Sequence, residues 1–479
     1  MGKTSHELHP RPFSRFNGML YTSTGGSKGP LDVDSRDWGP DNCLYPKEPI
    51  AMGDLLRTSP HPLPFSRAGW QNTRLPYGAM LAAGDYDTLA VVLDWASSFL
   101  PLASARTQLL LPGVKGTFFT EIVNAFGLYQ GKMYSGPDCT RTPGYPPWLS
   151  MGGWVRWDFS GNALGPEAGL MALDLYLHTG NLSQAQKYVP IATNSLDFIA
   201  SFYKNRSADG KMVIWPTQVL ESWWCEWPGW SNCPQNDMPT VSAATTLAAR
   251  LLALPPETGL ITPAQRTTYE ALVAILPPLP AANGTWLNAD VLSSDGPGHR
   301  EVAELFPAHP FRLVTAGKAA LDPSVAPDLS TGQRTFNASG NAQKNIGWYY
   351  GGIDAALLGL SRQSWYMIVD RASNSPPDVG YRYPAFAPHL QDSEPSADHY
   401  ANLMTALQAM LLQAGGDAED TLVLFPAWPC ELDVRFKLWG ARNTTVNVVY
   451  ATGALVALDV QPPERAAAVR WANCVTATA

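Results

Sequence analysis

Residues 168–202 read AGLMALDLYLHTGNLSQAQKYVPIATNSLDFIASF. Ala168, Met171, Leu175 and His178 recur at three- and four-residue steps, and Tyr188, Ile191, Ser195, Phe198 and Phe202 do the same further on. That is the spacing of one helix face. With the short break HTGNLSQ at 178–184 between them, the stretch reads as a helical hairpin.

The same period continues on both sides. Upstream, Leu89, Val92, Trp95, Phe99 and Leu102 form another face. Downstream, residues 240–254 repeat it, and Thr262-Pro263-Ala264-Gln265 supplies a capping Thr, a Pro at the first helical position and a Gln at the third. Two more helices are expected at 353–371 and 400–414, the second stopped by Gly415-Gly416. After about residue 420 the period switches to two: Val434, Phe436 and Leu438 alternate with Arg435 and Lys437, then TVNVVY and ALVALDV flank Ala451-Thr452-Gly453. Helices first and strands last, without βαβ alternation, exclude a doubly wound or TIM-type sheet and give a mainly α fold closed by a small antiparallel β domain. The expected division is an irregular Pro- and Gly-rich lead-in over 1–60, a helical unit over 61–418 and the β domain over 419–479.

Composition narrows the function. Of 479 residues, 45% are hydrophobic and 15% charged, enough apolar surface for a large core and too little charge for disorder. Lys and Arg number 33 against 41 Asp and Glu, a formal charge of -8, so no positive field attracts phosphate backbones and nucleic acid is not an expected partner. No apolar run approaches the roughly 18 to 20 residues of a membrane span, and the opening MGKTSHELHP lacks a signal-peptide core, so no membrane is expected either. The eight His show no ligand-like pairing and the six Cys (43, 139, 225, 233, 430 and 474) no CxxC pair, so neither metal nor cofactor is expected. Asn181, Asn205, Asn283, Asn337 and Asn443 begin N-x-S/T sequons. With an even Cys count they tilt the reading toward the secretory pathway or cell exterior, with Cys225 and Cys233 expected to form a local disulfide.

No Walker A, GxGxxG or HExxH pattern occurs, and Gly25-Gly26-Ser27-Lys28-Gly29 fits GxSxG only formally, in a loop-forming stretch. What remains is carboxylates among aromatics. In PTQVLESWWCEWPGWSNC (216–233), Glu221 lies close to Trp223, Trp224, Trp227 and Trp230. Apolar rings disfavour the charged carboxylate, which suits a general acid of glycoside hydrolysis; a buried salt bridge or a helix cap accounts for the same residue. In DSEPSADHYANL (392–403), Asp398 precedes His399 at a helix start, the place of an ordinary N-cap as well as of a second carboxylate.

NTRLPY at 72, PTQVLESWW at 216, HREVAELFPAHPF at 299, NIGWYYGGIDAALLGL at 345, ADHYANLMTALQAMLLQ at 397 and LVLFPAWP at 422 follow one another in an order and spacing that resemble the catalytic region of glycoside hydrolase family 95, more closely a divergent branch related to it. The resemblance runs over nearly the whole chain, from about residue 60 to about 470. It implies an (α/α)6 toroid of paired helices, the six-hairpin glycosidase fold, followed by a C-terminal β unit. It further implies inverting removal of a terminal α-L-linked sugar, fucose or α-L-galactose, from oligo- or polysaccharides. Glu221 then falls on the general acid, Asp398 on the Asp of the family's DGNFG segment, and Asn72 on the second member of an Asn-x-Asn pair that holds the water. Trp70 occupies the place of the first. The family's HRHxSH is represented by His299-Arg300-Glu301-Val302-Ala303-Glu304, of which His299 and Arg300 either hold sugar hydroxyls or, for Arg300, form a surface ion pair. Trp348 either lines the pocket or packs between helices; Trp70, Trp223, Trp224 and His399 complete the expected substrate-binding set. The family's N-terminal β-sandwich has no counterpart, and FNG at 16 and RDWG at 36 resemble the tail of the stretch leading into the toroid, so a truncated upstream domain is expected. The departure at Trp70 keeps a rival open, a non-catalytic carbohydrate-binding protein on the same toroid. A lyase on a similar toroid would need a Tyr or His base and a basic pocket for uronates, which the acidic balance disfavours.

Overall fold

The computed structural model describes residues 20–21, 32–33, 67–70, 74–119, 122–124, 164–220, 222–223, 225, 232–294, 302–345, 349–373, 397–416 and 419–474, with only the backbone at 20–21, 32–33, 67–69, 110, 122–124 and 397–399. Its principal helices are α1 Leu75–Gly78, α2 Tyr86–Leu110, α3 Leu164–Thr179, α4 Leu182–Phe202, α5 Met238–Leu252, α6 Pro263–Ile275, α7 Ala326–Ala338, α8 Gly351–Leu357, α9 Ser361–Ala372 and α10 Ala397–Leu411. The fold is mainly α with a C-terminal antiparallel β unit.

Local signals set most boundaries. At α6 the capping box is complete: Thr262 Oγ1 accepts from Gln265 N at 3.2 Å and Gln265 Oε1 accepts from Thr262 N at 3.0 Å. The α3–α4 hairpin forms as its periodicity requires, with Gly180 at φ 66° in the turn and Asn181 Oδ1 capping α4 through Gln184 N at 3.1 Å. Its two helices approach closely: a Cβ on Gly169 would lie 2.7 Å from the Cα of Ala192.

Long-range packing moved other boundaries. The expected helix 353–371 is two helices, α8 and α9, broken around Gly359, which adopts φ 76°. The helix expected to end at 414 stops at Leu411, because Leu412–Gly415 pairs as a strand with Thr421–Leu424. On α2 the apolar face is Leu89, Val92, Trp95 and Phe99, while Leu102 is 44% exposed. Contrary to the expectation of no membrane-length run, Tyr86–Leu109 is long and apolar enough to cross a membrane. In this fold Leu89, Leu93 and Ala96 of that helix are fully buried in a core cluster with Trp70, Tyr77, Tyr188 and Ile191.

The β unit comprises β1 Leu412–Gly415, β2 Thr421–Leu424, β3 Val434–Gly440, β4 Thr444–Ala451, β5 Ala454–Gln461 and β6 Val469–Trp471. β2 lies between β1, antiparallel, and β6, parallel; β3, β4 and β5 form an antiparallel meander. Thr452 and Gly453, at φ 52° and 76°, make the tight β4–β5 connection that right-handed strand twist favours. A Cys430–Cys474 disulfide fastens the chain end to the segment before β3. The sheet begins at Leu412, seven residues before the expected domain start at 419.

Candidate functional site

The expected acid, Glu221, lies outside the described residues, as do Asn72, Trp224, His299, Arg300 and Trp348. Asp398 and His399 are in the first turn of α10, described by backbone alone. Trp70 and Trp223 are described in full, as are the residues that frame Glu221.

That frame is buried and strained. Thr217 and Gln218 are fully buried. Thr217 Oγ1 donates to Asp237 Oδ2 at 2.5 Å, and Asp237 Oδ1 accepts from Thr240 N at 2.8 Å as the N-cap of α5. Gln218 Nε2 donates to the Leu220 carbonyl at 2.5 Å, and Ser222 N donates to the Val219 carbonyl at 2.9 Å. Leu220 at φ 49° and Trp223 at φ 41° are both left-handed. Each such residue costs on the order of 1–3 kcal/mol and persists only where its surroundings over-determine it, which happens most often at functional sites. The expected disulfide is present: Cys225 is bonded to Cys233, closing the stretch eight residues on. Burial pushes the Asp237 carboxyl up to about 6 against the opposing hydrogen bonds from Thr217 and Thr240.

A second construction lies around Trp70. Its ring is fully buried, and its indole N–H donates to Glu167 Oε2 at 3.2 Å. Glu167, from the first turn of α3, also forms a buried ion pair with Arg74. The Arg74 guanidinium lies 5.1 Å from the centroid of the Tyr350 ring, and Tyr350 meets His309 edge-to-face at 4.5 Å. Asn402 Nδ2 reaches the Tyr349 carbonyl at 3.5 Å, a long contact. Burial, then the charges of Arg74 and Arg312, hold His309 down at about 3, so its imidazole is neutral at physiological pH.

Arg74, Glu167, His309, Tyr350 and Asn402 open onto a cavity of about 200 Å³. Five of the six sequence segments line it: Arg74 from the first, His309 from the third, Tyr350 from the fourth, Asn402 from the fifth and Leu422 from the sixth. Among the described residues none of 216–223 does, and neither does Trp70, which supports the wall from behind. Elsewhere an ion network runs along the wall, joined by Arg250, which is not itself a lining residue. Arg312 Nη2 lies 2.6 Å from Asp174 Oδ2, Arg250 Nη1 3.1 Å from Asp174 Oδ1, and Lys318 Nζ 2.8 Å from Glu419 Oε1, with Arg250 also on Glu419. Burial works against the Glu419 charge, and Arg250, Lys318 and Arg312 override it, holding the carboxyl at about 2. His178 is pushed down to about 4, chiefly by burial, and hydrogen-bonds Tyr86 Oη through Nδ1 at 3.3 Å.

Among the described lining residues the charges balance: Arg74, Arg312 and Lys318 face Glu167, Asp174 and Glu419, leaving no surplus there to draw in a phosphate or uronate. Tyr77, Tyr350 and Trp439 add aromatic rings to the lining. Paired polar groups with aromatic faces and neutral imidazole suit a neutral, hydroxyl-rich ligand. Among the described residues no group of three or more His, Cys, Asp and Glu side chains is placed to hold a metal ion.

Sequence reasoning assigned no role to Arg74, Glu167, Asp174, His309 or Tyr350. The available signal was the acids. Glu167 and Asp174 stand in an otherwise apolar helix, where an acid is seldom buried unless paired. Asp354, in the apolar run GGIDAALLGL, carries the same mark. It is 2% exposed, its Oδ1 has no hydrogen-bond partner among the described residues, and burial with the nearby Glu304 raises it well above the ordinary carboxylate range.

No protein-family model and no curated protein matches this chain. Among solved structures, one described as a wild-type glycosidase is similar at 12% identity and a TM-score of 0.42, covering 85% of this chain and 99% of its own. A glycosidase variant in complex with glucose is similar at 13% identity, with the same TM-score of 0.42 and the same coverage of 85% and 99%.

Proposed function

We propose that the chain is an inverting, exo-acting glycoside hydrolase on an (α/α)6 toroid, removing a terminal α-L-linked sugar, fucose or α-L-galactose, from an oligo- or polysaccharide. The observation that carries this reading is the gathering of five of the six ordered segments around one charge-balanced, aromatic-lined cavity. Glu221 protonates the leaving glycosidic oxygen while Asp398 deprotonates a water on the opposite face of the sugar. The two carboxyl groups then stand roughly 6.5 to 9.5 Å apart to admit that water. Asn72 holds the water, two residues before the anchored Arg74. Trp224, His299, Arg300, Trp348 and His399 contact the sugar. Thr217, Gln218 and Ser222, all buried, flank the acid in sequence.

On a panel of α-L-fucosyl and α-L-galactosyl oligosaccharides, Glu221→Gln is expected to lower kcat by about 10²–10⁴-fold or more with KM little changed. A variant that retains most of the wild-type rate overturns the assignment.

The burial of Trp70 favours one alternative. Its N–H is committed to Glu167 at the position where a water-holding amide is otherwise expected. A carbohydrate-binding protein without turnover is the corresponding reading, distinguished by calorimetric titration: saccharide binding that Glu221→Gln leaves unchanged, with no product formed.

A further inference from the structure

We infer that Asn181, Asn205, Asn283, Asn337 and Asn443 all carry N-linked glycans, making this a secretory-pathway glycoprotein. A sequon by itself says little, since three-residue patterns arise by chance. Their placement says more. All five asparagines are exposed. Of the nine other asparagines whose side chains are described, at 194, 232, 236, 288, 341, 345, 402, 447 and 473, only Asn473 is exposed. Sequons arising by chance would follow the burial of the chain's other asparagines.

The second observation concerns the atom that is modified. Asn473 Nδ2 donates to the Pro426 carbonyl at 3.1 Å, and Asn194, Asn236, Asn345 and Asn402 likewise donate through Nδ2. None of the five sequon asparagines does. Asn181 uses only Oδ1 of its side chain, as the cap of α4. Asn205, just past the end of α4, and Asn337, in the last turn of α7, give only their backbone carbonyls to side-chain donors. Asn283 and Asn443 stand in the turns Ala282–Thr285 and β3–β4, at φ 52° and 51°. The five sites thus lie at element ends and turns, and none lines the cavity.

The disulfides supply independent support. Cys225–Cys233 and Cys430–Cys474 form and persist in oxidising compartments, the same ones in which asparagine is glycosylated. The chemistry is a transfer from a lipid diphosphate-linked oligosaccharide. A bond forms between Asn Nδ2 and C1 of the first sugar, the C1–O bond to the diphosphate breaks, the lipid diphosphate leaves with that electron pair, and the amide loses one proton to a base. The inference stands whether or not the chain is a hydrolase.

The test is to secrete the full chain from a eukaryotic host behind a cleavable leader and release the glycans with an amidase in ¹⁸O water. Peptides are then mapped without reduction. Labelled aspartate at all five positions, in protein that retains both disulfides and melts cooperatively, is expected. Each single Asn→Gln substitution should remove one glycan mass step. Unlabelled asparagine at any of the five positions overturns the inference. So does full labelling in protein that has lost its disulfides or its cooperative melt, because the glycans would then be incompatible with the fold.

Discussion

Asp354 and His309 are both buried titratable groups, and they bias stability in opposite directions. Asp354 is raised by burial and by Glu304, so the folded chain holds that proton more tightly than the unfolded chain. Its contribution is therefore complete below about pH 3.8 and is lost as pH rises. Asp354→Asn keeps the shape and removes the charge. It should stabilise by about 1–2 kcal/mol at pH 8 and by much less at pH 4, read from thermal melts across that range. A difference that does not grow with pH would contradict the assignment of Asp354 as an uncompensated buried acid. His309 is lowered from 6.5 to about 3, so the unfolded state takes up its proton first. That stability is complete above pH 6.5 and is lost as pH falls toward 3, and His309→Gln should flatten this acid limb in urea titrations at pH 7, 5 and 4. Between pH 3.8 and 6 the raised Asp237 opposes the histidines, so differences between variants isolate each group where the wild-type profile does not.

At the scale of elements, Asp237 links α5 to the stretch that carries Glu221. Asp237→Ala removes an N-cap and strands the buried Thr217 hydroxyl, an expected cost of about 2–3 kcal/mol in urea unfolding, with Thr217→Val costing about 1 kcal/mol. Equal effects of the two substitutions would mean that the cap itself contributes nothing. In the α3–α4 hairpin, Gly169→Ala forces a methyl to 2.7 Å from the Ala192 Cα and should cost about 1–3 kcal/mol. Loss of less than a few tenths would show that the helices are not so close. Elements with local causes were legible in the sequence: the capping box at Thr262, the hairpin turn at Gly180-Asn181, and the alternation of β3 to β5. Those settled by distant partners were not. No local periodicity says that Leu412 leaves its helix to pair with Leu424, and the break at Gly359 lies inside an otherwise continuous apolar run.

For the whole molecule, the same division by distance separates what was legible at the site. The ordered segments were visible in the sequence, and five of them share one cavity. The ion pairs that shape its wall were not, because Glu167 and Arg74 are 93 residues apart and Glu419 and Arg250 are 169 apart, beyond the reach of any motif. Nor was the contact of Trp70, whose indole N–H donates to Glu167 of the Arg74–Glu167 pair. The cavity's balanced charge fits a neutral sugar, and the proposed chemistry leaves a stereochemical signature that no binding protein produces. The decisive measurement is proton NMR of the first minutes of reaction with an α-L-fucosyl or α-L-galactosyl oligosaccharide, resolving the anomer of the released sugar before it mutarotates. Release of the inverted β-anomer by the wild type, absent with Glu221→Gln, is the expected result. Release of the α-anomer, release that survives the substitution, or no release from any oligosaccharide of the panel would contradict it.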